Sequence, residues 1–149
     1  HGLRFTVLRY GNVYGPRQDP HGEAGVVAIF CQRLLAGEPI FIYGTGKQQR
    51  DYVFVRDVAR ANVAALSKAT GESVNIGTGK ATDVNRLCKI LSACHGAPSV
   101  YEYKPQRSGE LFRSVLNVSK AARVLNWKAQ VALNVGLAET YRHIAAHPR

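Results

Sequence analysis

The chain has 149 residues, 46% hydrophobic and 20% charged, the size and balance of one globular domain with a core of its own. A formal net charge of +10 favours anionic partners, but the basic residues are scattered and form no consecutive block or aromatic-basic RNA signature, so no nucleic-acid partner is expected. No apolar stretch approaches the length of a membrane span and the opening residues show no signal-peptide pattern, so no membrane partner is expected either.

Cys31, Cys88 and Cys94 form no C-x-x-C pair and read as buried thiols of a reducing compartment, which points to the cytoplasm. The chain contains no methionine and opens with His1 and Gly2 directly before an apolar run, the pattern expected of a fragment.

In chain order, Leu3 to Leu8 reads as a buried strand running into the loop Gly11–Asn12–Val13–Tyr14–Gly15–Pro16. In open α/β sheets ligands bind at that end of a strand. Val27, Phe30, Cys31 and Leu34 recur at helical spacing, and Gly37 with Pro39 ends the helix. Ile40 to Tyr43 is a short strand leading into the polar loop Gly44 to Gln49, and Asp51 to Val55 is another. Asp57 then caps a helix carrying Val58, Ala61, Ala65 and Leu66. Ser73 to Ile76 is strand-like, and a loop with Gly77 and Gly79 follows. Thr82 or Asp83 caps a helix whose Val84, Leu87, Cys88 and Leu91 form one apolar stripe. Val100 to Tyr103 is a strand, Pro105 opens a basic loop, and Ser119 caps a short helix ending near Asn126. The last helix places Leu133, Leu137, Tyr141 and Ile144 on one side. Short strands alternating with helices give an α/β fold.

Most motifs that carry chemistry are missing. There is no G-x-G-x-x-G, P-loop or H-E-x-x-H, and the five histidines lack ligand spacing, so no metal site is expected. His143 and His147, four apart, have no acidic third ligand and read as a solvated helix end. Tyr43 and Lys47 fit the Y-x-x-x-K spacing of a phenolic base beside a lysine. That chemistry needs both side chains on one helix face, whereas Gly44 and Gly46 lie between them at a strand end. The match is read as chance.

Four strings carry a positive signal. They are Leu8 to Gln18 (LRYGNVYGPRQ), Ile42 to Ala59 (IYGTGKQQRDYVFVRDVA), Asn75 to Gly79 (NIGTG) and Arg107 to Glu110 (RSGE). In type, order and separation they resemble the NAD-dependent epimerase/dehydratase family, the extended short-chain dehydrogenases acting on nucleotide sugars. Within that family the UDP-hexose 4-epimerase group is most similar, and the stretch from Pro20 to Phe30 resembles that group too. The resemblance spans nearly the whole chain. It implies an α/β C-terminal substrate-binding domain over residues 1–149, in which 1–18 are the residual last strand and loop of a Rossmann sheet. The glycine-rich NAD fingerprint, the catalytic tyrosine-lysine pair and the hydroxyl residue that assists them precede this region in the family, and none is in this chain. Catalytic residues are therefore not expected here, and NAD would be held mainly by the absent half.

What the resemblance implies for single residues agrees with the chemistry of a nucleotide sugar. Arg50 and Arg107 would clamp its diphosphate through forked, charge-assisted hydrogen bonds. Glu110 would accept from the ribose hydroxyls, and Asn12 would bind near the phosphates. The backbone at Val26, Val27 and Tyr43 would line the uridine site, and Tyr10 and Gly11 would approach the nicotinamide. The plainer alternatives are an Arg50 ion pair with Asp51 or Asp57, an exposed Arg107–Glu110 pair, and an Asn12 that merely tolerates a left-handed turn. Ser108 stands where the family usually has proline, and Glu110 and Thr45 where it commonly has aspartate, which blurs the sugar preference. The whole enzyme would be a homodimer oxidising a UDP-hexose at C4 by hydride transfer to NAD. Open beside this are a dehydratase or decarboxylase of the same family, a non-catalytic nucleotide-sugar or polyanion-binding module, and a fragment that self-associates through its uncovered sheet edge.

Overall fold

The computed structural model describes residues 2–20 and 25–147. Positions 21–24 of the Pro20–Phe30 stretch, and His1 at the start, lie outside the described residues. The elements are β1 (Val7–Tyr10), β2 (Asn12–Tyr14), α1 (Val26–Ala36), β3 (Ile40–Tyr43), β4 (Gln49–Arg50), β5 (Tyr52–Phe54), α2 (Val55–Ala65), β6 (Ser73–Ile76), β7 (Thr82–Asp83), α3 (Val84–His95), β8 (Tyr101–Lys104), β9 (Arg113–Ser114), α4 (Ser119–Val124) and α5 (Leu133–Ala146). β1 pairs with β6, β2 with β5 and β3 with β8, all parallel; β4 pairs antiparallel with β7 and parallel with β9. This is the α/β architecture the alternation called for. Among the described residues no helix is long and apolar enough to cross a membrane.

β5 explains why the core has two parts. Side chains alternate across a strand, so Tyr52 and Phe54 enter one cluster and Val53 the other. The larger cluster joins α1, α3 and α5 through Val27, Phe30, Leu34, Leu87, Leu91 and Leu137. The smaller packs Val58 and Ala61 of α2, Val74 and Ile76 of β6, and Ala121, Leu125 and Trp127.

Several local expectations change. The first strand begins at Val7, not Leu3, and Leu3 and Phe5 remain 80% and 56% exposed. The ladder can start only where β6 starts, with Val7 opposite Ser73. Upstream, the chain bonds the turn before β6 instead: the Thr6 hydroxyl donates to the carbonyls of Lys68 (3.3 Å) and Ala69 (3.0 Å), and Gly71 N–H to that of Phe5 (2.7 Å). The strand expected over Asp51–Val55 is only Tyr52–Phe54, because Val55 already begins α2.

Asp57 does not cap α2, whose N-cap is Phe54. It is the third helical residue, 1% exposed, and its carboxylate accepts from Gln130 and Val131 N–H (both 3.0 Å) and pairs with Arg60 at 2.7 Å. It therefore ties α2 to the segment before α5. Ser119 likewise is the first residue of α4 rather than its cap, and the Asn117 side chain accepts from its N–H. Asp83 does cap α3, accepting from Arg86 N–H at 2.8 Å.

α5 docks through Gly136, where a Cβ would stand 2.3 Å from the Tyr14 hydroxyl and 2.9 Å from the Phe54 ring. Both rings are buried and meet edge to face. Gly136→Ala is expected to gain up to ~1 kcal/mol of helix propensity and lose about 1–3 kcal/mol to overpacking. A lower urea midpoint follows, and an unchanged or higher one would refute this account of the docking.

Burial pushes the thiols of Cys31 and Cys88 and the phenol of Tyr52 up to about 12. In the unfolded chain thiols ionise near ~8.5, so above that pH the native state holds more protons than the unfolded one. The stability these groups contribute is complete below ~8.5 and is lost as pH climbs towards 12. The denaturation midpoint should fall steadily between about pH 8 and pH 10, less steeply in a Cys31→Ala, Cys88→Ala variant.

Candidate functional site

The site is built around a buried acid that the sequence offered only as a surface ion-pair partner. Asp51, between β4 and β5, is 1% exposed. Its carboxylate accepts from Thr78 N–H (2.8 Å), the Thr78 hydroxyl (2.6 Å), Gly79 N–H (2.9 Å) and Leu116 N–H (3.4 Å). Its carbonyl accepts from Asn12 N–H at 2.7 Å. A Cβ on Gly77 would lie 2.5 Å from the carboxylate, and one on Gly11 2.7 Å from the carbonyl. The glycine-threonine-glycine loop thus closes on the chain's own anion, in the way such loops close on phosphate.

Arg50, one residue earlier, points into a cleft of about 510 Å³. α1 supplies Val26, Ile29, Phe30 and Arg33, a single helical face; Phe41 and Tyr43 come from alternate positions of β3, and Arg107 and Glu110 from the loop after β8. Arg50 is fixed there: it donates to the carbonyls of Gln49 (2.9 Å) and Leu111 (2.7 Å), and its other terminal nitrogen lies 3.4 Å from Glu110 Oε1. Arg107 lies over the Tyr43 ring, 3.9 Å from its centroid. Among the described residues its guanidinium makes no hydrogen bond or ion pair, so its donors are unclaimed by the protein.

Asn12, Val26, Tyr43, Arg50, Arg107 and Glu110 all line this one cleft. Val27 does not; its side chain is 1% exposed in the larger core cluster. Tyr10 and Gly11 lie apart from it. Tyr10 lines a separate hollow with Phe5 and Leu66 and donates to Asn62 Oδ1 at 2.9 Å, while Gly11 N–H is taken by the Ile76 carbonyl at 2.9 Å.

The plainer alternatives fall on geometry. Glu110 pairs with Arg50, not Arg107; Asp51 and Asp57 point elsewhere; Asn12 is a strand residue without a left-handed backbone. Tyr43 and Lys47 share no helix, because Gly44 and Gly46 turn the chain with φ of 64° and 71°.

Sequence reasoning missed Arg33. It is held by the Pro39 carbonyl (2.9 Å) and Glu38 (3.5 Å) and lies 4.0 Å from the centroid of Phe41. Its place four residues after Ile29, on the same face of α1, was the available signal. Among the described residues that line the cleft, three arginines stand against one glutamate, and there is no histidine or cysteine.

Asp51→Asn would set an amide donor against N–H groups that have no other acceptor. We expect a loss of about 2–4 kcal/mol in urea denaturation and faster hydrogen exchange at the Thr78 and Gly79 amides. An unchanged midpoint would remove Asp51 from its central place.

Comparison with known proteins bears on the family and the fold. Residues 1–77 match the sequence model described as "NAD dependent epimerase/dehydratase family". A UDP-glucose 4-epimerase of Mycolicibacterium smegmatis is 52% identical over 139 residues, 93% of this chain and 44% of that protein. The crystal structure of UDP-glucose 4-epimerase with UDP-glucose from Thermotoga maritima superposes with a TM-score of 0.93 at 49% identity, covering 99% of this chain and 48% of that one. A Thermus thermophilus UDP-glucose 4-epimerase in complex with NAD gives 0.90 at 40% identity, covering 98% and 48%. The chain thus spans less than half the length of each of these relatives. Matched by the family's own pattern over just over half of its residues, the chain belongs to the NAD dependent epimerase/dehydratase family.

Proposed function

We propose that residues 1–149 form the nucleotide-sugar-binding portion of an NAD-dependent UDP-sugar 4-epimerase, with residues 1–18 as the residual Rossmann strand and loop, and that the portion is inactive by itself. The observation that carries this reading is the meeting of Arg50 and Arg107, far apart in sequence, on the walls of one cleft with Glu110 between chain segments. A diphosphate meets two guanidinium groups there, Arg50 held in place by backbone carbonyls and Arg107 with its donors free. Glu110 would turn its second oxygen to the ribose. A firm grip on the unreacting nucleotide leaves the sugar loose, as a reaction that must present both faces of one carbon requires.

The residues present do not make a dinucleotide site. The sequence has no G-x-G-x-x-G, and at Tyr10 and Gly11 the groups that would meet a nicotinamide are already bonded to Asn62 and Ile76. No chemical step is assigned to this chain's residues; they bind and orient.

The test is the melting temperature of the chain with UDP-glucose. At ten times Kd, binding contributes about 1.4 kcal/mol, a rise of roughly 3–6 °C for a domain of this size. Arg107→Ala should weaken binding about 10- to 100-fold while lowering the ligand-free melting temperature only slightly, because the one contact the exposed side chain loses is with the Tyr43 ring. An equal rise with inorganic polyphosphate, erased by moderate salt, would favour a general polyanion module instead. No rise at millimolar UDP-glucose would refute the proposal.

A further inference from the structure

A second cavity, of about 580 Å³, shares only Tyr52 with the arginine cleft. Its walls are the loop from Gly77 to Thr82, the first turns of α3 and α4, and the segment from Trp127 to Asn134. Lys80, Arg86 and Lys128 line it, and among the described residues no aspartate or glutamate does. Among the described residues the side-chain nitrogens of these three make no hydrogen bond or ion pair, whereas Arg33, Arg50, Arg56, Arg60, Lys104 and Lys120 each have a carboxylate partner. Three uncompensated cations at one concavity raise the local concentration of anions. The start of α5, with no side-chain cap and no acid in its first turn, opens on the same cavity and adds to that field.

The cavity is not merely basic. Tyr52, Ile90, Val118, Trp127, Val131 and Leu133 give it an apolar wall. Trp127 is fixed there by its indole N–H, which donates to the Asp57 carbonyl at 3.0 Å. A space of this size exceeds what a bare phosphate or pyrophosphate fills and sits within the range of small-molecule sites. We propose that this cavity is a second binding site, for a nucleotide: a flat ring system against the apolar wall, and at least two phosphate charges at Lys80, Arg86 and Lys128. The site borders the Gly77–Thr78–Gly79 loop that holds Asp51, and through it the strand that carries Arg50.

Trp127 is the chain's single tryptophan, so its emission reports on this cavity directly. The experiment titrates ADP, and separately inorganic pyrophosphate, into the 149-residue chain, exciting tryptophan at the red edge of its absorption. A saturable change with ADP is expected. The double variant Lys80→Ala, Lys128→Ala, at two exposed positions, should raise the apparent Kd at least about tenfold, and Arg107→Ala in the other cleft should leave it within about twofold. The proposal is overturned by any of four results: no saturable change with ADP, equal affinity in the double variant, loss of the signal in Arg107→Ala, or pyrophosphate binding as tightly as ADP.

Discussion

The carboxylate of Asp51 is the interaction on which the rest of this structure depends. It lies in the interior at a point where two chain segments would otherwise present three unpaired N–H groups, and it satisfies those at Thr78, Gly79 and Leu116. A buried acid without such donors would be strongly destabilising, and the same donors without the acid would be orphans. Because the carbonyl of the same residue receives Asn12, one position fixes β2, β5 and the loop after β6 relative to one another. Arg50 and Tyr52, its immediate neighbours in the chain, therefore reach the cleft at set positions although both lie on very short strands.

That arrangement gives one motif a structural part. In the Asn75–Gly79 string the Thr78 and Gly79 amides are consumed by the protein's own Asp51 carboxylate. In the proposed function, ligand recognition would fall instead to side chains. Arg50 is held by two carbonyls and a glutamate, and Arg107 by an aromatic face, which leaves one guanidinium rigid and one available. The Tyr43 ring carries the Arg107 guanidinium, a contact that spacing alone does not reveal.

What was legible in the sequence follows from range. Ile40–Tyr43 and Ser73–Ile76 were readable because β-branched and aromatic runs bounded by glycine or polar turns need only local information. The stripe of Val84, Leu87, Cys88 and Leu91 was readable for the same reason. Asp57 was misjudged because an acid at the start of a helix has the same local signature whether it caps that helix or reaches a segment over seventy residues away. The start of the first strand was misjudged because its extent is set by the partner strand, not by its own letters. Of the cleft, the residues carried by the four strings came together, whereas Arg33 lay outside them and Val27 faces the core.

β1 has a single neighbour among the described residues, and beside it Leu3, Phe5 and Leu66 stand in solvent. Open strand edges next to apolar side chains are sticky, and what opposes their meeting in this molecule is long-range repulsion between bodies each carrying +10. That repulsion decays over about 8 Å at physiological ionic strength and about 30 Å in dilute buffer. Any association through that edge would thereby be coupled to salt, most strongly opposed where counterions are scarce and least where they are plentiful, the reverse of a protein whose surface attraction is ionic.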